Sequence, residues 1–211
     1  MRKYVERFHY LTQDLPDRTH PEQVRIACES GAKWIQYRCL TKDDPALVAE
    51  INELAAICDD WGTTLVLTDH YHLLDRVDAQ GVHIEDFDAD LESVRKAIGE
   101  DKTLGASAIS LEQIRRLARL GTVDYIGCGP FAKTLTKPND FPLLGVQGYR
   151  QIISAMKAEG IDIPVLAVGG IRPEDAGPLL QTGIYGLAVS AAINLAADPK
   201  EAFLDFYNKV Y

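Results

Sequence analysis

Residues 163–193 read IPVLAVGGIRPEDAGPLLQTGIYGLAVSAAI, and this stretch shows how the rest of the chain is built. It contains two short apolar runs, IPVLAV and GLAV, separated by a segment of helical period. Pro173 stands near the start of that segment and Gly183 near its end, as is usual for helix termini. The stretch therefore predicts a strand, a helix and a second strand. Strands that are apolar on both faces are typical of a parallel sheet covered by helices.

The same unit recurs along the chain. Runs of strand length occur at FHYLT (8–12), WIQYR (34–38), TLVLTD (64–69), GVHI (81–84), TLGAS (103–107), DYIGCG (124–129), IPVLAVGG (163–170) and GLAVS (186–190). Segments of helical period separate them, from HPEQVRIACESG (20–31) to PKEAFLDFYNKV (199–210), and include HLLDRVDAQG (72–81). Strand and helix alternate eight times, so we expect a helix after every strand.

This alternation predicts the fold class. In 211 residues it is most simply satisfied by one α/β domain, residues 1–211, closed as a (β/α)8 TIM barrel. An open doubly wound sheet is the alternative that the pattern leaves open.

The composition argues against several functional classes. A net charge of −9 and a pI near 5.0 argue against a nucleic-acid partner, because phosphate backbones require clustered Lys and Arg. No apolar run approaches the roughly 20 residues that span a bilayer, and the N-terminal residues lack the apolar core of a signal peptide. We therefore expect no membrane association and a cytoplasmic protein, whose oligomeric state, monomer or homo-oligomer, stays open.

The four cysteines suggest no disulfide framework. They are widely spaced and contain no CxxC pair, which also argues against a zinc ribbon. Cys28 and Cys58 fall in helical segments and are interpreted as packing residues.

Polar side chains concentrate at the C-terminal ends of the predicted strands, where barrels of this type carry their chemistry. They are Gln36, Arg38, Asp69, His83, Asp86, Asp88, Ser107 and Ser190. Gly169 and Gly170 follow the seventh strand, and glycines let backbone N–H groups approach a ligand closely. Together with GLAVSAAI after the eighth strand, they predict a phosphate site.

Carboxylates are expected at two adjacent strand ends. Asp69 follows the third strand, and Asp88 lies just beyond the fourth, with Asp86 nearby. Crowded carboxylates repel one another and raise each other's pKa unless a cation lies between them. Mg²⁺ is the natural ion, because it prefers oxygen ligands and shares them with substrate phosphates. Asp90 is interpreted instead as the N-cap of the next helix.

The stretch DYIGCGPFAKTLTKPNDFPLLG (124–145) begins as a strand and continues as a polar loop. Thr134 and Thr136 supply hydroxyl groups, Lys137 supplies a compact cation, and Pro138 stiffens the rest of the loop. Such a loop is suited to folding over a charged phosphate and excluding water, so residues 134–144 are a candidate lid.

Several motifs, taken in order, resemble the thiamine phosphate synthase (thiamine-phosphate pyrophosphorylase) family. They are WIQYR, LTDH, GVHIEDFD, GASA, YIGCGPFAKTLTKPNDFPLLGVQGY, IPVLAVGGI and GLAVSAAI, within residues 8–197. The TxTKP loop together with the Gln-x-Arg strand makes the resemblance specific, whereas many phosphate-binding barrels share the GGI segment. The resemblance implies a (β/α)8 transferase of thiamine biosynthesis. Its substrates would be hydroxymethylpyrimidine pyrophosphate and hydroxyethylthiazole phosphate, and its products thiamine phosphate and pyrophosphate, with Mg²⁺ as cofactor.

The resemblance also implies roles for individual residues. Asp69 and Asp88 match the magnesium ligands. Arg38, Lys137 and Ser107 match residues of the catalytic step, the first two as pyrophosphate contacts. The residues implied beside the pyrimidine are Gln36 and Ser107, Thr68 is a further substrate-binding position, and those around the thiazole phosphate are Thr134, Thr136, Gly169, Gly170, Val189 and Ser190.

Three positions depart from the family pattern. Leu40 replaces a lysine that contacts pyrophosphate, Thr68 replaces Asn or Asp before the metal aspartate, and Glu85 replaces a glycine. All three are expected to weaken the part of the site that binds the leaving pyrophosphate, and they leave the part that binds the thiazole phosphate intact. Two alternatives therefore stay open. One is a thiazole tautomerase-type paralogue, although such proteins resemble one another in a histidine where this chain has Pro130. The other is a non-catalytic regulatory protein that binds thiazole phosphate.

Overall fold

The computed structural model describes residues 3–134 and 140–211. Within them, parallel strands pair in chain order and close into a barrel, because β8 pairs with β1. The strands are β1 (Phe8–Leu11), β2 (Trp34–Tyr37), β3 (Thr64–Thr68), β4 (Gly81–Ile84), β5 (Thr103–Ala108), β6 (Tyr125–Cys128), β7 (Val165–Val168) and β8 (Gly186–Val189). The prediction of a (β/α)8 barrel is confirmed, and the open sheet is excluded.

Helices form the outer layer of the barrel. They are α1 (His20–Glu29), α2 (Asp44–Trp61), α3 (Leu91–Ile98), α4 (Leu111–Leu120), α5 (Gly145–Ala158), α6 (Pro173–Leu180), α7 (Ala191–Asn194) and α8 (Pro199–Val210). The sequence signals for their ends are confirmed in detail. Pro21, Pro45, Pro173 and Pro199 all lie in first turns, and Asp90 caps α3 by accepting a hydrogen bond from Ser93 N–H.

The prediction of a helix from HLLDRVDAQG (72–81) is wrong. Only one 3₁₀ turn, Tyr71–Leu73, lies between β3 and β4. Its bonds run between residues three apart, as in Leu74 N–H to Tyr71 O and Arg76 N–H to Leu73 O. A short connection must still return the chain to the other end of the barrel. A 3₁₀ turn rises about 2.0 Å per residue against about 1.5 Å in an α-helix, so it spans that height with fewer residues.

The core has two compartments. The larger one lies between the strands and the helices and contains Cys28 and Cys58, which are buried packing residues as expected. The smaller one fills the barrel interior and includes Trp34 and Tyr125, the first residues of β2 and β6. Their rings meet edge to face with centroids 5.7 Å apart. These rings fill the N-terminal end of the barrel, so open space is left at the C-terminal end.

No helix among the described residues combines the length and the apolar character needed to cross a bilayer.

Candidate active site

A cavity opens at the C-terminal rim of the barrel. Seven of the residues singled out in the sequence line it: Arg38, Ser107, Thr134, Gly169, Gly170, Val189 and Ser190. They come from the ends of β2, β5, β7 and β8 and from the segment after β6. Pro130 also lines the cavity. The convergence of strand ends explains why residues so far apart in sequence meet here.

The other predicted site residues lie elsewhere. Gln36 and Thr68 are buried in β2 and β3, where Gln36 Nε2 donates to Thr68 Oγ1 at 2.9 Å. Neither lines the cavity. Thr136 and Lys137 fall outside the described residues, so their predicted roles stay predictions.

Arg38 is held by a carboxylate. Its Nε and Nη2 donate to the two oxygens of Glu85 at 3.0 and 3.2 Å. Both side chains are largely buried, at 13% and 16% exposure, and both line the cavity. A bidentate pair of this kind is strong and fixes the guanidinium plane. Glu85, expected from sequence only as added negative charge, therefore occupies two of the donors of the candidate pyrophosphate-binding arginine.

Asp69 occupies a strained position at the end of β3. Its φ is 59°, in the left-handed region that non-glycine residues rarely adopt. Its N–H donates to His83 O at 3.0 Å, which continues the pairing with β4. Its Oδ1 accepts from Glu85 N–H at 2.7 Å. The carboxylate thus lies at the start of the loop that follows β4.

Asp88 lies in that same loop and is exposed. Its N–H donates to Asp86 Oδ1 at 2.9 Å. Asp69 and Asp88 therefore follow neighbouring strands, and each offers carboxylate oxygens, whereas both oxygens of Glu85 are paired with Arg38. That donor set fits a hard divalent cation such as Mg²⁺, which prefers oxygen ligands.

Ser107 belongs to a hydrogen-bonded series inside the barrel. Its Oγ lies 3.0 Å from His83 Nε2, and His83 Nδ1 lies 3.1 Å from the hydroxyl of Tyr125. Burial raises the pKa of the Tyr125 hydroxyl above its ordinary value, so this group stays protonated. The arrangement needs glycine at position 105, where a Cβ would overlap the Tyr125 ring and lie 2.6 Å from His83 Nδ1.

The backbone after β7 forms a tight cradle. Gly169 and Gly170 both have positive φ, 87° and 71°. The segment after β6 lies against them, with Phe131 N–H donating to Val168 O and Ala132 N–H to Gly169 O. A Cβ on Gly170 would lie 2.7 Å from the carbonyl oxygens of Ala132 and Lys133. This close approach explains the need for glycine at position 170.

The end of β8 is held by residues that the sequence interpretation missed. Ser190 Oγ donates to Gln13 Oε1 at 3.1 Å and accepts from Asn194 Nδ2 at 3.1 Å. Gln13 also lines the cavity. It follows the end of β1, so the same rule that selected the other strand ends would have found it.

Two aromatic rings meet at the cavity mouth. Phe87, in the loop after β4, and Phe141, before α5, pack edge to face with centroids 5.7 Å apart. Both line the cavity. This contact joins the far end of the candidate lid segment to the loop that carries Asp88.

Comparisons with known proteins agree with the fold and show the family. A family model described as thiamine monophosphate synthase matches residues 10–193. A thiamine-phosphate synthase of Phocaeicola vulgatus is 37% identical over 199 residues, covering 93% of this chain and 94% of that protein. One of Flavobacterium johnsoniae is 33% identical, covering 97% and 96%. The solved thiamine phosphate pyrophosphorylase of Pyrococcus furiosus superposes with a TM-score of 0.84 at 29% identity, covering 97% and 95%.

The family match spans most of the chain and includes nearly the whole barrel, from within β1 to the end of β8. The curated relatives carry one name and align over nearly their full length. The chain therefore belongs to the thiamine-phosphate synthase family, whose members are transferases that form thiamine phosphate.

Proposed function

We propose that this protein joins hydroxymethylpyrimidine pyrophosphate to hydroxyethylthiazole phosphate in a Mg²⁺-dependent reaction that yields thiamine phosphate and pyrophosphate. The observation that supports the proposal is that one cavity is lined on two sides by different groups suited to binding anions. The glycine cradle after β7 and Ser190 form one wall, and Arg38 forms the other. A two-substrate reaction in which both substrates carry phosphate requires both walls.

The glycine wall suits the thiazole phosphate. Gly169 and Gly170 let backbone N–H groups approach closely, and backbone donors bind phosphate without adding a charge. Thr134 lines the same cavity and supplies a hydroxyl group. The mono-phosphate of the thiazole would thus be held at the end of β7 and β8.

The arginine wall suits the pyrophosphate. A guanidinium has five N–H donors, and Glu85 takes two of those on Arg38. The pyrophosphate would bind the remaining donors or displace Glu85. Asp69 and Asp88 would hold Mg²⁺, which when bound supplies positive charge to the departing phosphate oxygens.

The proposed chemistry needs no nucleophile from the protein. The bond between the pyrimidine methylene carbon and the pyrophosphate oxygen breaks, and the electron pair leaves with pyrophosphate. The thiazole nitrogen then supplies the pair for the new carbon–nitrogen bond. An electron-rich aminopyrimidine stabilises the positive charge on the methylene, so the displacement is dissociative. The residues act by placing the two substrates and stabilising the departing charge.

Ser107 would position the pyrimidine. Its hydroxyl lines the cavity and is oriented by His83, which is in turn held by Tyr125. Such a series fixes a hydroxyl in one direction, which favours one pose of the ring beside it.

A thiazole tautomerase is the second candidate. The replacement of the family lysine by Leu40 and the pairing of Arg38 with Glu85 favour it, because both reduce binding of pyrophosphate. Pro130 lines the cavity at the position where such paralogues resemble one another in a histidine, so this acid or base is replaced by a ring that cannot transfer a proton. We therefore favour the synthase. We also propose a cytoplasmic location, with small molecules as partners.

One assay separates the candidates. Purified protein is given both substrates and Mg²⁺, and pyrophosphate release and thiamine phosphate are measured together. The synthase is expected to form them in equal amounts. Tautomer interconversion without pyrophosphate release would select the tautomerase, and thiazole phosphate binding without turnover would select a regulatory protein.

Metal dependence is tested in the same assay. EDTA is expected to abolish thiamine phosphate formation, and excess Mg²⁺ to restore it, because Asp69 and Asp88 would otherwise face the pyrophosphate with like charge. The variant Asp69→Asn should require a higher Mg²⁺ concentration for half-maximal rate. An unchanged rate in EDTA would contradict the proposed role of the metal.

A further inference from the structure

Asp14, His20 and Cys39 form a cluster outside the active-site cavity. Asp14 lies between β1 and α1, His20 is the first residue of α1, and Cys39 follows β2. A carboxylate oxygen, a ring nitrogen and the sulfur atom of this group all lie within 4.8 Å of one another. Across residues 3–134 and 140–211 it is the one group of three such side chains with that property.

The imidazole is already fixed in the orientation that a ligand needs. His20 Nδ1 lies 2.9 Å from Thr12 Oγ1, and His20 Nε2 lies 3.0 Å from Asp14 Oδ1. The ring also packs edge-on against Tyr37, with centroids 4.9 Å apart. Histidines that bind metal commonly use one nitrogen for the ion and the other for an orienting hydrogen bond. Thr12 supplies such a bond here.

The carboxylate and the thiol are held by the loop after β2. Leu40 N–H donates to Asp14 Oδ2 at 2.9 Å, and Thr41 Oγ1 donates to Asp14 Oδ1 at 3.1 Å. Thr41 Oγ1 also lies 3.7 Å from Cys39 Sγ. The thiol and imidazole are buried while Asp14 is exposed, so the cluster is closed on the protein side and open toward solvent.

The donor types select the ion. One sulfur, one nitrogen and one oxygen suit Zn²⁺, whereas Mg²⁺ takes oxygen ligands. Tetrahedral Zn²⁺ with bonds of about 2.0–2.3 Å places its ligand atoms about 3.3–3.8 Å apart. Because its ligand atoms all lie within 4.8 Å of one another, the cluster would contract by at most about 1.5 Å, and three protein ligands leave the fourth position for water from the exposed side.

We propose that Asp14, His20 and Cys39 form a binding site for Zn²⁺. On binding, the Cys39 thiol loses its proton to solvent, the neutral His20 ring carries its one proton on Nδ1 toward Thr12 Oγ1, and Nε2 and Asp14 bind the metal in place of the hydrogen bond between them. The ion then ties the loop after β1 to the loop after β2, next to Arg38. The site is independent of the proposed transferase reaction and of the carboxylates Asp69 and Asp88.

Co²⁺ is the probe for this site, since a cobalt–thiolate bond absorbs in the near ultraviolet and tetrahedral Co²⁺ absorbs in the visible. Reduced, metal-free protein is titrated with Co²⁺ in the presence of excess Mg²⁺. We expect one equivalent to give both absorptions and added Zn²⁺ to remove them. In Cys39→Ala the thiolate absorption should be lost, and in the matched variant Cys58→Ala, at a buried cysteine of α2, it should persist.

Asp14→Asn tests the site without altering a buried residue, because Asp14 is exposed. We expect it to weaken Co²⁺ binding at least about tenfold, as loss of a carboxylate around a metal typically does. An absent thiolate absorption in the unmodified protein at millimolar Co²⁺ would overturn the proposal. So would an absorption that persists in Cys39→Ala, or a Co²⁺ affinity unchanged in Asp14→Asn.

Discussion

Arg38 is the described side chain on which the proposed leaving-group half of the site depends, and Glu85 competes for it. The two form a bidentate pair at the cavity wall. In Glu85→Gln one charge is removed while the shape is kept. We expect the KM for the pyrimidine pyrophosphate to fall about fivefold, because the substrate no longer displaces a charge-assisted bond worth roughly 1 kcal/mol.

The control for this variant is another arginine–glutamate pair. Arg25 and Glu53 are paired at 3.0 Å on the surface, each with about half of its side chain exposed (51%). Glu53→Gln should leave KM and kcat unchanged. A rise in KM for Glu85→Gln would show instead that Glu85 holds Arg38 in its working position.

Leu40 is the second residue whose role can be decided by substitution. Its side chain is 65% exposed and stands where the family pattern has a pyrophosphate-binding lysine. Lys42 does not replace that cation, because its Nζ is paired with Glu50 Oε1 at 2.5 Å. We expect Leu40→Lys to raise kcat/KM for the pyrimidine pyrophosphate about three- to tenfold, as one added charged contact in a partly exposed site would.

A long uncharged side chain at the same position separates charge from size. Leu40→Gln should leave kcat/KM near the unmodified value. An equal gain from glutamine and lysine would mean that the loss of an exposed leucine, rather than the gain of a cation, is responsible.

For individual residues, the sequence predicts where a side chain lies better than it predicts which side chain it contacts. Arg38 and Ser107 lie at the cavity because both stand at strand ends, and strand ends can be read from the apolar pattern. The contact between Arg38 and Glu85 joins positions 47 residues apart, in the loops that follow β2 and β4. No local pattern encodes such a contact. Only the three-dimensional structure shows that the added carboxylate pairs with the arginine.

The loop after β7 is the element that shapes the phosphate wall, and Gly170 is its tightest point. In Gly170→Ala the φ of 71° becomes strained and the new Cβ meets the carbonyl oxygens of Ala132 and Lys133. We expect the free energy of unfolding to fall by about 1–3 kcal/mol. The KM for the thiazole phosphate should rise at least about tenfold, because the backbone donors move.

Gly177 provides the matched control within α6. Apart from its chain neighbours and the backbone of its own helix, no atom lies within 4 Å of a Cβ built there. Because alanine favours a helix over glycine, Gly177→Ala should raise the free energy of unfolding by about 0.5–1 kcal/mol and leave both KM values unchanged. Equal effects of the two substitutions in chemical denaturation would refute the special role of Gly170.

The elements themselves were largely predictable, with one instructive exception. The apolar runs that alternate with helical segments locate each of the eight predicted strands to within a few residues, because parallel strands are buried on both faces and are therefore continuously apolar. The segment 72–81 has helical spacing at Leu73, Leu74 and Val77, and these residues are buried. It nevertheless forms only a 3₁₀ turn. Spacing reports which side chains face the core, whereas the length available for the return to β4 decides how tightly the chain coils.

The whole barrel depends on a centre that contains ionisable rings. His9 is 1% exposed and stacks on Trp34 with centroids 4.4 Å apart. Its Nε2 lies 3.0 Å from Glu6 O, so the neutral ring donates there. Burial lowers the pKa of His9 well below its ordinary value, and the neighbouring His83 lowers it further. Closing the barrel therefore requires a neutral imidazole at its centre.

This requirement makes stability depend on pH with a definite sign. The unfolded chain binds a proton at His9 below about pH 6.5, while the folded chain does not until a much lower pH. Because the unfolded state then holds more protons, the free energy of unfolding falls as the pH falls below 6.5. One such histidine contributes a slope of up to about 1.4 kcal/mol per pH unit.

Urea titrations between pH 7.5 and about 5 measure this slope. His9→Phe keeps an aromatic ring against Trp34 and removes the titrating group. The slope of its free energy of unfolding against pH should therefore be smaller by up to about 1.4 kcal/mol per pH unit. His72→Gln is the control, because that side chain is 48% exposed. It should keep the slope of the unmodified protein. If His9→Phe and the unmodified protein show the same slope, the acid sensitivity of the barrel arises elsewhere, and a neutral imidazole is not a condition for its closure.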